Sequence, residues 1–273
     1  MKTAAVIFPF DLFGSAGTGA GAELIGDELR EVLADNRREK VPTRARSYTR
    51  HIQLQEFTFE TQEAYRTWRP DGRQAAREAF ERGDFLVWIS GNHLGALPVY
   101  DELVSTTDDS LIVQFDAHLD IHHFADCTPE LSHGNFLLHC DGKLPPLINF
   151  GHRELLLTAD YVGRYYQQTF SSAELAIDDS PARAALAKAA ANARRVIVDI
   201  DCDVLDPAFF PAVSRQVPFG LDPRQLLHFL GLIEPAKLAG VMISEFDPSR
   251  DRDDRSLATL IWLIEYLLLS KYE

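Results

Sequence analysis

The sequence predicts an α/β fold: three α-β-α layers, with helices on both faces of a mostly parallel central sheet, and residues 1–273 forming one domain. Three observations carry this. Apolar runs of strand length alternate with helical patterns along the chain, which is the β-α-β order of a parallel sheet. Each run is almost continuously apolar, as strands covered on both faces must be. No internal repeat, linker or low-complexity stretch interrupts the alternation. A chain of 273 residues is ordinary for one α/β domain with a large sheet. It should bury about three-quarters of the surface its unfolded form exposes, so it needs no staples.

Taken in order, AAVIFPF (4–10) reads as a buried strand. GAELIGDELREVLADN (21–36) is an amphipathic helix with Leu24, Ile25, Leu29, Val32 and Leu33 on one side. Residues 43–68 show no clear period and suit an edge hairpin or an irregular excursion. DGRQAAREAFERG (71–83) is helical and stops at Gly83, FLVWIS (85–90) is a strand, and SLIVQFDAH (110–118) is a strand that ends in charged residues. LINFG (147–151) is a short strand. DSPARAALAKAAANA (179–193) is a helix with Asp179 or Ser180 as cap and Pro181 in its first turn. RVIVDIDCD (195–203) is a strand running into aspartates. DPRQLLHFLGLI (222–233), LAGVMISEF (238–246) and SLATLIWLIEYLLLS (256–270) complete the pattern as helix, strand and helix.

Bulk properties narrow the partners. A net charge of −14 argues against nucleic acid, which needs a basic face. Global acidity mostly serves solubility, although acid near a site also attracts cations. Cys127, Cys140 and Cys202 form no C-x-x-C pair and no disulfide framework, so a reducing cytoplasm is expected. The N-terminal apolar run ends at Phe8, Pro9 and Asp11, too early for a secretion signal. No stretch approaches the ~18 apolar residues of a membrane span.

Polar residues gather where strands end. FLVWIS delivers Gly91, Asn92 and His93; LIVQF delivers Asp116, His118 and Asp120; RVIV delivers Asp199, Asp201 and Asp203; GVMIS delivers Glu245 and Asp247. In open α/β sheets the carboxyl ends of strands bind ligands, so four distant segments should converge on one crevice. In extended chain, alternate residues share a face, which lets Asp116, His118 and Asp120 point one way and Asp201 and Asp203 do the same. That many carboxylates at the end of a buried sheet repel unless some stay protonated or cations neutralise them. Carboxylate and imidazole donors suit Mn²⁺, Fe²⁺ or Zn²⁺, and a carboxylate-rich set suggests two ions about 3.5 Å apart. Each piece alone has a plainer explanation: aspartates after strands cap helices, and a lone His93 is more often a satisfied polar residue. The joint order of His, D-x-H-x-D, D-x-D and Glu on four strand ends is what points to metal.

That order resembles the ureohydrolase superfamily of arginase, agmatinase, formimidoylglutamase and their relatives. The matching segments are SGNH, FDAHLD, LSHGNF, DIDCDVLDPAFFP and SEFDP, spanning Ser90 to Pro248, and the glycine-rich FGSAGTGAG (13–21) is similar to that family's first strand-to-helix turn. The resemblance implies an arginase-like fold and two Mn²⁺ ions, with Fe²⁺ or Zn²⁺ suited to the same donors. His93, Asp116, Asp120 and Asp201 would hold one ion, and Asp116, His118, Asp201 and Asp203 the other. It further implies a metal-bridging hydroxide as nucleophile on a small guanidino-type substrate, releasing urea and an amine. Asp120, His133 and Glu245 would be the catalytic groups, with His133 moving a proton to the leaving amine and Glu245 pairing with the guanidinium. The alternatives are a relative that cleaves another linear amidine or amide bond or peptidyl arginine, and a non-catalytic metal-binding homologue. The charge run from Ser249 to Arg255 reads as a solvated loop before the last helix; the resemblance places such loops near subunit contacts and implies a homo-oligomer.

The chain departs from the family pattern at several points. Asn92 stands where the family writes Asp, in G-G-D-H. Asp199 stands where Ser or Thr is usual; it adds a carboxylate near the metals, expected to accept a hydrogen bond from a ligand or bound water, with direct ligation as the competing possibility. His122 and His123 follow Asp120, where arginases hold the amino-acid end of the substrate with a small polar residue. The pattern that grips an α-carboxylate is absent around Thr128 to Ser132, and Ser132-His133-Gly134 leans toward agmatinase-type members. Gly151-His152-Arg153 could line the pocket or be structural, and Glu154 reads as helix surface.

Overall fold

The computed structural model describes residues 2–104, 109–123 and 130–273; Cys127 and Thr128, weighed above, lie outside the described residues. Its order is β1 (Thr3–Phe8), α1 (Thr18–Arg38), β2 (Ile52–Glu56), α2 (Gln62–Arg82), β3 (Phe85–Ser90), α3 (Leu97–Leu103), β4 (Ser110–Phe115) and β5 (Leu147–His152). There follow α4 (Ala159–Val162), β6 (Gln168–Ser171), α5 (Ser172–Ile177), α6 (Ser180–Asn192), β7 (Arg195–Asp201), α7 (Pro223–Leu230), β8 (Leu238–Ser244) and α8 (Arg255–Tyr272). The eight strands form one sheet in the order β2-β1-β3-β8-β7-β4-β5-β6. Every pairing in it is parallel, so all carboxyl ends share one edge.

The continuous apolar runs split by parity between two core layers, as the two-residue period of a strand requires. Ala5, Ile7, Phe85, Val87, Ile89, Leu111 and Val113 pack with α1, α6, α7 and α8. Ala4, Val6, Phe8, Leu86, Trp88 and Ile112 pack with α2 and α3 on the other face. Among the described residues, no helix is long and apolar enough to cross a membrane.

Three departures from the sequence expectation have physical causes. Residues 43–68 hold no hairpin: Ile52–Glu56 adds a parallel edge strand to β1. The helix expected from Asp71 begins at Gln62 and runs through Pro70. A helix-interior proline costs about 3 kcal/mol, and here the added turns bury Trp68, which stacks on Phe10 with ring centroids 4.2 Å apart. Thr61 caps the extension by accepting the Ala64 N–H. The short β6 and the buried α3 were not anticipated, since neither carries enough residues to show a period.

Candidate metal centre

The site lies over β3, β8, β7 and β4, the four central neighbours in the sheet. β3 ends at Ser90 and turns at once, so His93 opens a 3-10 turn over residues 93–96 with its side chain buried. Its backbone N–H donates to Glu245 Oε1 at 3.0 Å, and Glu245 returns its own N–H to the Gly91 carbonyl at 2.8 Å. A Cβ on Gly91 would stand 2.5 Å from the Phe10 carbonyl oxygen, so only glycine permits this approach.

The His93 ring joins two environments. Nε2 lies 2.9 Å from Asp199 Oδ2, which also accepts the Tyr100 hydroxyl at 2.6 Å. Nδ1 faces three carboxylate oxygens: Asp120 Oδ2 at 2.8 Å, Asp201 Oδ2 at 3.2 Å and Asp116 Oδ2 at 3.3 Å. Among the described residues, neither Nδ1 nor Asp116 Oδ2 has a hydrogen-bond partner, although both are fully buried. A second cluster adjoins the first. His118 Nδ1 lies 3.0 Å from Asp203 Oδ2 and 3.8 Å from Asp116 Oδ1. His93, Asp116 and Asp120 converge closely enough to hold one ion, and Asp116, His118 and Asp203 a second, with Asp116 in both groups.

These residues meet by a route other than simple strand alternation. β4 ends at Phe115, so Asp116 to Asp120 form a loop in which Asp120 takes a left-handed φ of 48°. Asp203 likewise leaves the strand for a 3-10 turn over Cys202–Val204 that Asp201 caps by accepting the Asp203 N–H at 3.0 Å. Asp203 is steadied in turn by the Ala117 N–H at 3.2 Å. Cys202, between the two aspartates, points into the apolar core.

Electrostatics show what such a cluster demands. Burial, and then the Asp120 charge, push the Asp116 carboxyl up to about 7. Burial and the neighbouring Asp203 and Asp116 charges also hold Asp201 well above the usual carboxylate range. For His118, burial pulls the pKa down, but Asp203 and its hydrogen bond outweigh it and raise the ring to about 10. Burial drives Asp203 up, but His118, the Ala117 N–H and Arg153 together hold it below the usual carboxylate value. Bare, the cluster would have to gather protons to coexist; divalent cations would neutralise it instead. Two unpartnered buried donor atoms aimed at a shared point, in a mixed imidazole and carboxylate set, fit metal ions well.

Beside the cluster, His133 Nδ1 lies 3.1 Å from Glu245 Oε1. Burial lowers the His133 pKa, but the Glu245 hydrogen bond and charge raise it further than burial lowers it. The glycine-rich first loop holds this histidine: the His133 N–H donates to the Phe13 carbonyl at 3.1 Å, and a Cβ on Gly14 would come within 2.8 Å of the His133 ring. Clusters and pair open into one narrow pocket of about 50 Å³ lined by His118, Asp120, Asp201, Asp203, His133 and Glu245, with Ser15, His122, Ser214 and Arg215 among the other lining residues.

The remaining sequence candidates fall elsewhere. Asn92 lies beside the site and donates to the Leu12 carbonyl at 2.9 Å. Arg153 is structural: its guanidinium binds the carbonyls of Gly151, Val204 and Val217. Glu154 caps the N–H groups of Leu156 and Leu157. In the charge run, Asp251 accepts the N–H groups of Ser256 and Leu257 and so fixes the start of α8. Sequence reasoning missed Tyr100, because nothing in LPVYDEL marks its hydroxyl as a partner of Asp199. It also missed Arg215, which stands four residues after the FFP of the D-x-D segment.

Comparisons with known proteins agree with this architecture. Over 191 residues the chain is 27% identical to an agmatinase of Halalkalibacterium halodurans, covering 67% of this chain and 63% of that protein. Over 180 residues it is 31% identical to the mitochondrial arginase 1 of Arabidopsis thaliana, covering 61% of this chain and 48% of the relative. The chain thus spans less than two-thirds of the length of each. Its fold matches the crystal structure of arginase from Bacillus subtilis subsp. subtilis str. 168 with a TM-score of 0.80, across 98% of both chains at 18% identity. The match to the arginase family itself runs from residue 2 to residue 269, across every strand that builds the site, and the chain belongs to that family.

Proposed function

We propose that this protein is a metal-dependent amidinohydrolase that cleaves a C–N bond of a small guanidino compound, releasing urea and an amine. The observation that carries the reading is the pair of donor clusters sharing Asp116, whose Asp120, His118 and Asp203 line one pocket with the Glu245–His133 pair. His93, Asp116, Asp120 and Asp201 would hold one ion and Asp116, His118, Asp201 and Asp203 the other; Mn²⁺ is the first candidate, and Fe²⁺ and Zn²⁺ suit the same donors. Bound divalent ions supply a nucleophile from water at neutral pH and neutralise the clustered carboxylates.

The chain's own groups do the rest. The buried Glu245 carboxylate receives the guanidinium by charge-assisted hydrogen bonds and orients its central carbon toward the metal cluster. His133, with Nδ1 on Glu245 and its pKa raised by that carboxylate, would present Nε2 as the proton donor to the departing nitrogen. Asp199 keeps the His93 ring turned so that Nδ1 faces the cluster. The overall change balances as a guanidinium plus water giving urea plus the protonated amine. The agmatinase and arginase relatives support a guanidino substrate. The free thiols Cys140 and Cys202 fit a reducing compartment.

The test is metal analysis of purified protein, followed by a urea-release screen over arginine, agmatine, 4-guanidinobutyrate and an arginyl peptide. Two ions per chain and urea from at least one compound are expected, with Glu245→Gln slowing that reaction about a hundredfold or more. A protein with both sites filled and no guanidino compound turned over would overturn the reading.

A further inference from the structure

The polarity of this pocket narrows the guanidino class, and the inference rests on the amidinohydrolase reading. The inner wall carries Asp120, Asp201, Asp203 and Glu245, all buried. The exposed rim carries Arg215, and no other arginine or lysine lines the pocket. A dipolar ligand with a cationic inner end and an anionic outer end matches that distribution. Two linear cations joined by a chain do not, because the outer one would meet like charge.

Arg215 is available for such a ligand. Among the described residues its guanidinium makes no hydrogen bond or ion pair, whereas Arg153 is spent on three backbone carbonyls and Arg250 on Asp247. His122, the other basic group toward the rim, has the Glu154 carboxylate 3.7 Å away, which leaves Arg215 as the dominant positive charge. The segment carrying it is pinned. The Asp247 N–H donates to the Ala212 carbonyl at 2.8 Å, the Gln216 side chain to the Pro211 carbonyl at 2.7 Å, and Arg153 to the Val217 carbonyl at 3.2 Å. An arginine stays charged at any pH the fold survives, and its planar fork matches a carboxylate.

We propose that Arg215 is a specificity-determining residue that binds the carboxylate of a small ω-guanidino acid while Glu245 holds its guanidinium. The same charge turns away guanidino compounds that end in a second cation, such as agmatine. Arg215 touches the tail of the substrate and leaves the bond-breaking groups alone, so its loss acts on binding.

The experiment compares 4-guanidinobutyrate with agmatine, which carry opposite charges on similar chains, using manganese-loaded wild-type protein, Arg215→Gln and Arg215→Lys. Wild type should favour 4-guanidinobutyrate at least about tenfold in kcat/KM. Arg215→Gln should lose about ten- to a hundredfold on that compound, chiefly through KM, with agmatine unchanged or improved. Arg215→Lys should recover part of the loss, since it restores the charge without the fork. A wild-type preference for agmatine, or an equal loss on both compounds in Arg215→Gln, would overturn the assignment and leave the amidinohydrolase reading standing. If neither compound yields urea, the wider guanidino screen decides that reading, and equilibrium binding of the two compounds to wild type and Arg215→Gln decides the role of Arg215. Tighter 4-guanidinobutyrate binding lost in the variant upholds it, and equal binding of the two compounds overturns it.

Discussion

Replacing Asp199 with Asn tests how the site holds its first histidine. Asp199 is fully buried and accepts two hydrogen bonds through one oxygen, from His93 Nε2 at 2.9 Å and from the Tyr100 hydroxyl at 2.6 Å. The carboxylate fixes the proton of His93 on Nε2 and frees Nδ1 to face Asp116, Asp120 and Asp201. Asn keeps the volume and one accepting oxygen but removes the charge, and its amide nitrogen competes to face the same donors. Losing such a supporting carboxylate weakens metal affinity by about 10- to 100-fold, or about 1.4–2.7 kcal/mol. The fold should persist, because Asp199 sits in the middle of β7 with both neighbouring strands intact. Titration of metal-free protein with Mn²⁺, followed by calorimetry or equilibrium dialysis, reads the affinity, and circular dichroism reads the fold. One ion should weaken much more than the other, since His93 belongs to only one cluster. Unchanged affinity, or equal weakening of both ions, would refute the orienting role of Asp199.

Two further expectations follow from other parts of the structure. Asp116 belongs to both donor groups, so Asp116→Asn should abolish binding of both ions, read as a metal content near zero by elemental analysis; retention of one tight ion would show that the clusters are independent. For Glu102, burial raises the carboxyl pKa, but hydrogen bonds from Arg77 and Arg73 outweigh it and hold the group below its ordinary 4.5. A carboxyl depressed in the folded state stabilises the fold above its unfolded pKa and loses that contribution as pH falls through the folded value. The difference in melting temperature between wild type and Glu102→Gln should therefore be largest above about pH 5 and shrink in acid, and a difference that stays constant with pH would contradict the pairing.

Much of this molecule is legible in its sequence, and the failures have physical causes. The central strands declare themselves because a strand covered on both faces must be apolar throughout, as in FLVWIS and RVIV, and the structure buries every residue of β3. His93, Asp116, Asp201 and Glu245 are placeable because each follows such a run at the ligand-binding edge of the sheet. Asp120 and Asp203, however, do not reach the cluster by strand alternation: a left-handed residue and a 3-10 turn bring them inward. Pro70 hid the first turns of α2 because local propensity opposes a helix there, and only the burial of Trp68 against Phe10 decides it. Tyr100 and Arg215 were invisible for a different reason: their importance arises from what the fold sets beside them, which no local pattern encodes.

Strained backbone that coincides with buried like charge marks the site independently of any resemblance. Asp120 and Glu245 both adopt left-handed backbone, at φ 48° and 65°, a conformation that costs a non-glycine residue about 1–2 kcal/mol. Glu245 directly follows β8, and Asp120 closes the short loop after β4, where an unconstrained chain would relax. Asp116, Asp199, Asp201 and Asp203 are buried together, which repulsion disfavours unless cations or protons compensate. Left-handed backbone also occurs at Phe13, Phe219, Asp253 and Asp254, and Pro70 lies inside α2, so strain alone does not mark the site. What sets the edge of β3, β8, β7 and β4 apart is that strain and buried like charge coincide there, where the surrounding sheet can hold both. A fold selected for stability alone would place alanine or leucine at several of these positions; carboxylates kept there at such cost are the charge that the proposed metal ions would offset.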